Sequence, residues 1–129
     1  MNEKLILTAF RRALQTLEDA VAKPKDEFIR DATIKRFEYT YELAWKLIKR
    51  ALELSAETDF SALSRRDLFR EAAKRGLIDD PLVWFEYTES RNKTSHTYNE
   101  RVADLVYDEA VEFLVDGKTL LKRLEAFRA

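Results

Sequence analysis

Cysteine is absent from the sequence, histidine occurs once, and glycine and proline occur twice each. Each scarcity removes something. Without cysteine there is no disulfide framework and no thiolate zinc or iron–sulfur site. A single histidine excludes a multi-histidine metal site within one chain. Two glycines can write neither a GxGxxG fingerprint nor a P-loop, so a glycine-rich phosphate cradle is excluded. An all-β chain needs a turn about every 8–12 residues, and two glycines and two prolines in 129 residues supply too few turn formers. Long apolar runs are missing too: nothing approaches the roughly 18 residues that a bilayer span requires. The start, Met1-Asn2-Glu3-Lys4-Leu5, mixes charges and lacks an apolar h-region, so it does not read as a signal peptide. A soluble cytoplasmic protein without membrane association is expected.

Charge of one sign is not in excess either. The 23 Lys+Arg against 24 Asp+Glu leave a net charge of −1, so the whole molecule is not a basic nucleic-acid binder, although a local basic surface remains open. What is abundant is the helical alphabet: 46% hydrophobic and 36% charged residues with few breakers. The length suffices for a core without disulfides or metal.

Hydrophobic periodicity places five helices. The first runs from about Glu3 to Val21, with Ile6, Phe10, Ala13, Leu14, Leu17 and Val21 as its apolar stripe, and Lys23-Pro24 stops it. The second, about Asp26 to Leu54, carries Phe37, Tyr41, Ala44, Trp45, Ile48, Ala51 and Leu52 on one face, with Arg30, Lys35, Arg36, Glu42, Lys46, Lys49, Arg50 and Glu53 on the polar sides. The two read as an antiparallel hairpin. Ser55 to Leu63 is a polar connection. Ser64-Arg65-Arg66-Asp67 reads as a capping box, with Asp in place of Glu, opening a short third helix to about Arg75, and Gly76 is its stop signal. Asp80-Pro81 opens a fourth helix that fades near Arg91 to Lys93. Asn99 caps a fifth, about Glu100 to Phe127, with Val102, Leu105, Val106, Ala110, Phe113, Leu114, Leu120, Leu121 and Leu124 as its stripe and Gly117 as a candidate kink. The architecture expected is all-α, a single bundle of long helices.

Between the fourth and fifth helices lies Ser90-Arg91-Asn92-Lys93-Thr94-Ser95-His96-Thr97-Tyr98-Asn99, a run without an aliphatic residue that holds the sole histidine. The plain reading is a solvated loop with a helix cap, and an arginine that answers the helix dipole. The sharper reading weighs the chemistry. Arginine matches phosphate oxygens bidentately and is always charged. Histidine can take or give a proton near neutral pH. With Arg91 in the last helical turn and His96 just beyond, the pair suffices for metal-free attack of an RNA 2′-hydroxyl on its neighbouring phosphate. Asn92 would orient His96 or contact a phosphate oxygen.

Other residues carry weaker signals. Glu42 and Lys46, one turn apart, read as a stabilising helix pair, with the alternative that their face lies near the polar loop. Phe37, Tyr41, Trp45, Trp84 and Phe85 read as core or interface rather than as a base-stacking platform. Arg65, Arg66, Arg70, Lys74 and Arg75 make the short helix basic, a solvated face that can also supply phosphate contacts. Asp79-Asp80 and Asp104/Asp108 are carboxylate pairs, but with Asp80 as a cap no metal site and no cofactor are expected.

The run Arg91-Asn92-x-x-Ser95-His96-Thr97-Tyr98 resembles the R-x4-H-x-Y signature of HEPN domains, and more narrowly that of the small HEPN proteins encoded beside a minimal nucleotidyltransferase, the nucleotidyltransferase substrate-binding proteins. Arg36-Phe37-Glu38-Tyr39-Thr40-Tyr41-Glu42-Leu43-Ala44-Trp45-Lys46 resembles that family's second-helix motif, and Arg75-Gly76-Leu77-Ile78-Asp79-Asp80 with Trp84 resembles its approach to the active loop. The likeness covers nearly the whole chain; the connection Ser55 to Leu63 departs by lacking a glycine that relatives often carry.

The resemblance implies one HEPN-like domain over residues 1–129, an antiparallel four-helix bundle with an additional short helix, and a homodimer whose two R-x4-H motifs face each other. It implies a toxin–antitoxin module: a metal-independent endoribonuclease toxin with Arg91 and His96 as catalytic residues, Asn92 in support, and Arg91, Ser95, His96 and Tyr98 binding RNA or nucleotide. The partner nucleotidyltransferase would act as antitoxin by attaching AMP to Tyr98. The alternative is a non-catalytic subunit that holds substrate or nucleotide for that nucleotidyltransferase.

Overall fold

The computed structural model describes residues 5–55 and 62–127, and among them every regular element is helical. Helix α1 spans Thr8–Val21, α2 Glu27–Ser55, α3 Arg65–Lys74, α4 Pro81–Asn92 and α5 Glu100–Ala126. Four helices pack antiparallel, with α3 as the additional short one. The expected connection from Ser55 to Leu63 falls largely in residues 56–61, outside the described residues. No helix among the described residues is long and apolar enough to cross a membrane.

Local chemistry sets the ends. The Asp26 carboxylate accepts from the Ile29 N–H at 2.7 Å, the Asp80 carboxylate from Leu82 N–H at 2.9 Å, and the Asn99 side chain from both Arg101 and Val102 N–H, each answering an orphan donor of a first turn. Ser64 accepts from Asp67 N–H at 3.1 Å, but the return half of the capping box is absent, because the Asp67 carboxylate takes Arg70 instead. At the end of α3, Gly76 has φ +79, and the Gly76 and Leu77 N–H groups bond the carbonyls of Ala73 and Ala72. This is a Schellman stop, which needs a left-handed residue and therefore favours glycine.

The core is a cluster of rings. Phe113 of α5 meets Phe37, Trp84 and Tyr87 edge to face at centroid distances of 5.3, 5.7 and 5.2 Å, and Phe69 of α3 reaches Trp84 at 5.5 Å. The rings thus lock α2, α3, α4 and α5 together through geometry as well as area. Most of the periodic apolar residues are buried, but Ile6 and Leu105 are 80% and 56% exposed; Ile6 precedes α1, which begins at Thr8 rather than near Glu3.

One expectation is corrected, and Gly117 gains a packing role. Arg30, read as surface decoration, is only 6% exposed and bonds Asp31, Glu100 and Asp104, tying the start of α2 to the start of α5. Its charge and hydrogen bonds hold the Glu100 carboxyl below the usual range. Gly117 marks no break: α5 runs through it, and a Cβ there would lie 2.8 Å from Leu14 Cδ2. The glycine is a close-approach site where α1 packs on α5.

Candidate active site at the α4–α5 turn

The polar run is more ordered than a loop. Helix α4 ends at Asn92, a 3₁₀ turn follows over Lys93–His96, and the Asn99 cap starts α5. The Thr94 hydroxyl donates to the Arg91 carbonyl at 2.8 Å, Thr97 Oγ1 to the Thr94 carbonyl at 3.2 Å, and the Asn99 N–H to the His96 carbonyl at 3.1 Å. The two threonines thus stitch the segment to itself. Every orphan carbonyl they satisfy is one that solvent would otherwise have to reach. The turn also packs against α2, α4 and α5, so the site sits on three helices rather than on a free strand of chain.

Arg91 occupies the last turn of α4, as expected, but its side chain reaches across to α2. Arg91 Nε donates to Glu42 Oε1 at 2.9 Å, and a terminal nitrogen lies 4.0 Å from Glu38 Oε1. The side chain is about one-third exposed, at 31%. A carboxylate at Nε holds a guanidinium from its inner edge and leaves the outer edge for another acceptor. Glu42 is itself held: its other oxygen, Oε2, accepts from the Trp45 indole N–H at 2.9 Å. Burial alone would push the Glu42 carboxyl up, but the hydrogen bonds from Trp45 and Arg91 and the charges of Arg91 and Arg65 bring it below its ordinary value.

The expected Glu42–Lys46 helix pair is therefore corrected. Both Glu42 oxygens are engaged elsewhere, and the Lys46 ammonium stands 5.9 Å from the Trp45 ring centre instead. The alternative, that this face lies near the polar turn, is what the geometry gives. Trp45 is half-buried at the edge of that face, while Phe37, Tyr41, Trp84 and Phe85 are core.

His96 and Ser95 are exposed on the 3₁₀ turn, and Tyr98, just past it, is 83% exposed. The His96 and Tyr98 rings meet edge to face with centroids 6.1 Å apart. Asn92 is exposed at the end of α4 and makes no hydrogen bond to His96. No hydrogen bond joins Arg91 to His96 within the chain: Arg91 is anchored on α2, and the His96–Tyr98 pair stands on the adjoining turn. Three of the four carboxylates weighed as metal ligands are used otherwise. Asp79 bonds Arg123 at 2.9 Å, Asp80 caps α4, and Asp104 bonds Lys25 at 3.2 Å. Among the described residues no group of His, Cys, Asp and Glu converges as a metal site.

An anchored arginine beside an exposed histidine and tyrosine on a polar turn that ends a helical bundle defines a class, and comparison with known proteins gives the family. The chain belongs to the nucleotidyltransferase substrate binding protein like family, whose model matches residues 5–126, as the three motif blocks implied. Among curated proteins, the "Probable ribonuclease HepT" of Haemophilus influenzae is 35% identical over 138 residues, spanning 96% of this chain and 94% of that protein. The solved structure of HI0074 from Haemophilus influenzae, described as revealing the fold of a substrate binding domain of a nucleotidyltransferase, superposes with a TM-score of 0.87 at 33% identity, over 93% of this chain and 99% of that one. A crystal structure of a Thermus thermophilus protein matches with a TM-score of 0.80 at 30% identity, over 89% and 98% of the two chains.

Because Glu42 is held below its ordinary value of 4.5, its ion pair persists on acidification until the pH falls through that depressed value. Its contribution to the site is present above pH 4.5 and lost below it. Trp45 reports the event through its indole bond. Tryptophan emission is expected to titrate below pH 4.5, to lose that step in Glu42→Gln, and to shift the step upward in Arg91→Ala. A wild-type step at or above 4.5, or one that survives Glu42→Gln, contradicts the assignment.

Proposed function

We propose that this chain is a HEPN-type, metal-independent endoribonuclease, the toxin of a two-gene toxin–antitoxin module whose antitoxin is a minimal nucleotidyltransferase. The observation that carries the reading is Arg91, clamped at Nε by Glu42 and about one-third exposed, beside a turn that presents His96 and Tyr98. Arg91 binds the scissile phosphate and stabilises the charge that develops on it. His96 accepts the proton of the attacking 2′-hydroxyl, and the P–O5′ bond breaks as a proton is delivered to the leaving oxygen. One chain has one histidine, so separate base and acid histidines require a second copy; the reading therefore includes a homodimer in which two turns face one RNA cleft. Asn92 and Ser95 lie exposed on the same surface and contact RNA there, rather than orienting His96.

Tyr98 is the point of control. Its exposure leaves the hydroxyl open to a modifying enzyme, and an adenylate attached there would set bulk and a phosphate anion beside His96. RNA would then be excluded sterically and by competition for Arg91. The description of HI0074 as a substrate binding domain favours a second reading, a non-catalytic subunit that holds nucleotide for the nucleotidyltransferase.

RNA cleavage by the purified protein separates the two. Wild type is expected to cleave single-stranded RNA, with Arg91→Ala and His96→Ala each slower by about 100-fold or more. If wild type and His96→Ala are equally inert while a nucleotide binds at the turn, the second reading stands. The control step is tested by co-expression with the neighbouring nucleotidyltransferase. Intact mass should show added AMP, and Tyr98→Phe should abolish it; an unmodified wild-type chain, or a modification that persists in Tyr98→Phe, contradicts the role of Tyr98.

A further inference from the structure

The cations of α3 fall into two kinds. Arg70 bonds Asp67 at 2.9 Å, Arg75 bonds Glu71 at 3.2 Å, and Lys74 lies 3.9 Å from Glu71, so these three are balanced on their own helix. Arg65 and Arg66 have no carboxylate partner among the described residues. Each guanidinium lies on an aromatic ring instead: Arg65 is 3.8 Å from the centre of Trp45, and Arg66 is 4.6 Å from the centre of Phe85. A stacked guanidinium uses its face for the ring and keeps its in-plane N–H groups for oxygen acceptors. Arg65 is further aligned by one hydrogen bond from its Nη1 to the Tyr41 hydroxyl at 3.2 Å. Both are pre-positioned donors with in-plane N–H groups left for an oxygen acceptor, the arrangement that planar recognition of phosphate requires, and the Arg65 charge is felt by Glu42 without an ion-pair contact between them.

Their place ties them to the active turn. The Trp45 ring carries Arg65, the Trp45 indole N–H bonds Glu42, and the other Glu42 oxygen bonds Arg91. Arg65 and Arg91 are thus fixed on either side of one Glu42–Trp45 unit of α2. Lys46 at the same ring adds a further positive charge. A chain of phosphates bound at Arg91 and continuing past Trp45 meets Arg65, and Arg66 follows it in sequence on the first turn of α3. The net charge of −1 makes this basic strip a local feature rather than a property of the whole surface.

We propose that Arg65 and Arg66, mounted on Trp45 and Phe85, form a second phosphate-binding site that holds the single-stranded RNA flanking the phosphate at Arg91. The inference rests on the RNA-cleavage reading for the role of Arg91. The strip contacts backbone and not base edges, so it confers affinity for length rather than for sequence. Arg66 acts on substrate binding alone, whereas Arg65 also touches the Trp45–Glu42 unit that holds Arg91.

The test uses the full-length protein in the His96→Ala background, so that binding is measured without cleavage, with a labelled single-stranded RNA of about 10 nucleotides as probe. Arg65→Gln with Arg66→Gln should raise Kd about 10-fold and lower the salt slope by about 1.4, two phosphates at about 0.7 each. Arg66→Gln alone, which leaves Trp45 and Tyr41 untouched, should give about half the change in slope, and Arg65→Lys should recover part of the affinity. In the active background Arg66→Gln, which touches neither Trp45 nor Glu42, should raise KM for the long RNA and leave dinucleotide cleavage unchanged. Unchanged Kd and slope, no RNA binding by the parent, or a loss confined to association with the nucleotidyltransferase overturns the proposal. A wild type that binds RNA through these arginines yet never cleaves it would instead sink the ribonuclease reading and leave the phosphate site standing.

Discussion

The contact between α2 and α4 has an aromatic lower storey and a charged upper one. Below, Phe37 and Tyr41 face Phe113, and Trp84 and Tyr87 close the same cluster from α4. Above, Arg91 crosses to Glu42, and Glu42 is held in turn by Trp45. The rings fix the distance between the helices, and that distance fixes where the guanidinium can stand. Half-exposed ion pairs contribute little to stability. The value of this one lies in position: it orients a cation at the end of the bundle by its Nε, with Glu38 only at the 4.0 Å limit of an ion pair from a terminal nitrogen. The Tyr41 hydroxyl joins the two storeys, since it meets Thr88 of α4 and accepts from Arg65 of α3.

The turn that follows α4 depends on the same framework. It is short, tied by Thr94 and Thr97 to the carbonyls behind it, and closed by the Asn99 cap on α5. At the far side, Arg30 bonds Glu100 in the first turn of α5, which anchors the segment leaving the site to α2 as well. A polar stretch without aliphatic residues cannot hold itself by burial. Here it is held from both ends by helices whose core packing does not involve it, which frees His96, Ser95 and Tyr98 to stay exposed. Sites built on rigid elements are more precise than sites on loops.

Local signals were the legible ones. Asp80, Asn99, Ser64 and Gly76 stop or start helices through groups within a turn of themselves, so their spacing is readable in one dimension. The polar run containing Arg91 and His96 also stood out, because composition alone marks it. What could not be read was who partners whom across helices. Spacing pairs Glu42 with Lys46 at one turn's distance, yet Glu42 faces Arg91, which is 49 residues away. Arg30 looked like decoration because two of its three acids lie on α5, and the close approach at Gly117 was hidden because the side chain it accommodates, Leu14, belongs to α1. A usable signal did exist at the site: Glu38 and Glu42, four apart with Trp45 beside them, form a carboxylate column on one helical face. Such a column calls for a cation from elsewhere in the fold.

The central claim is that Arg91 acts from a position that Glu42 imposes. A double-mutant cycle on RNA cleavage tests it most directly, because residues that work as a unit are not additive. Glu42→Ala should slow cleavage in the wild-type background and should have almost no further effect once Arg91 is already alanine. Losses that multiply independently, with Glu42→Ala equally damaging in both backgrounds, would contradict the account.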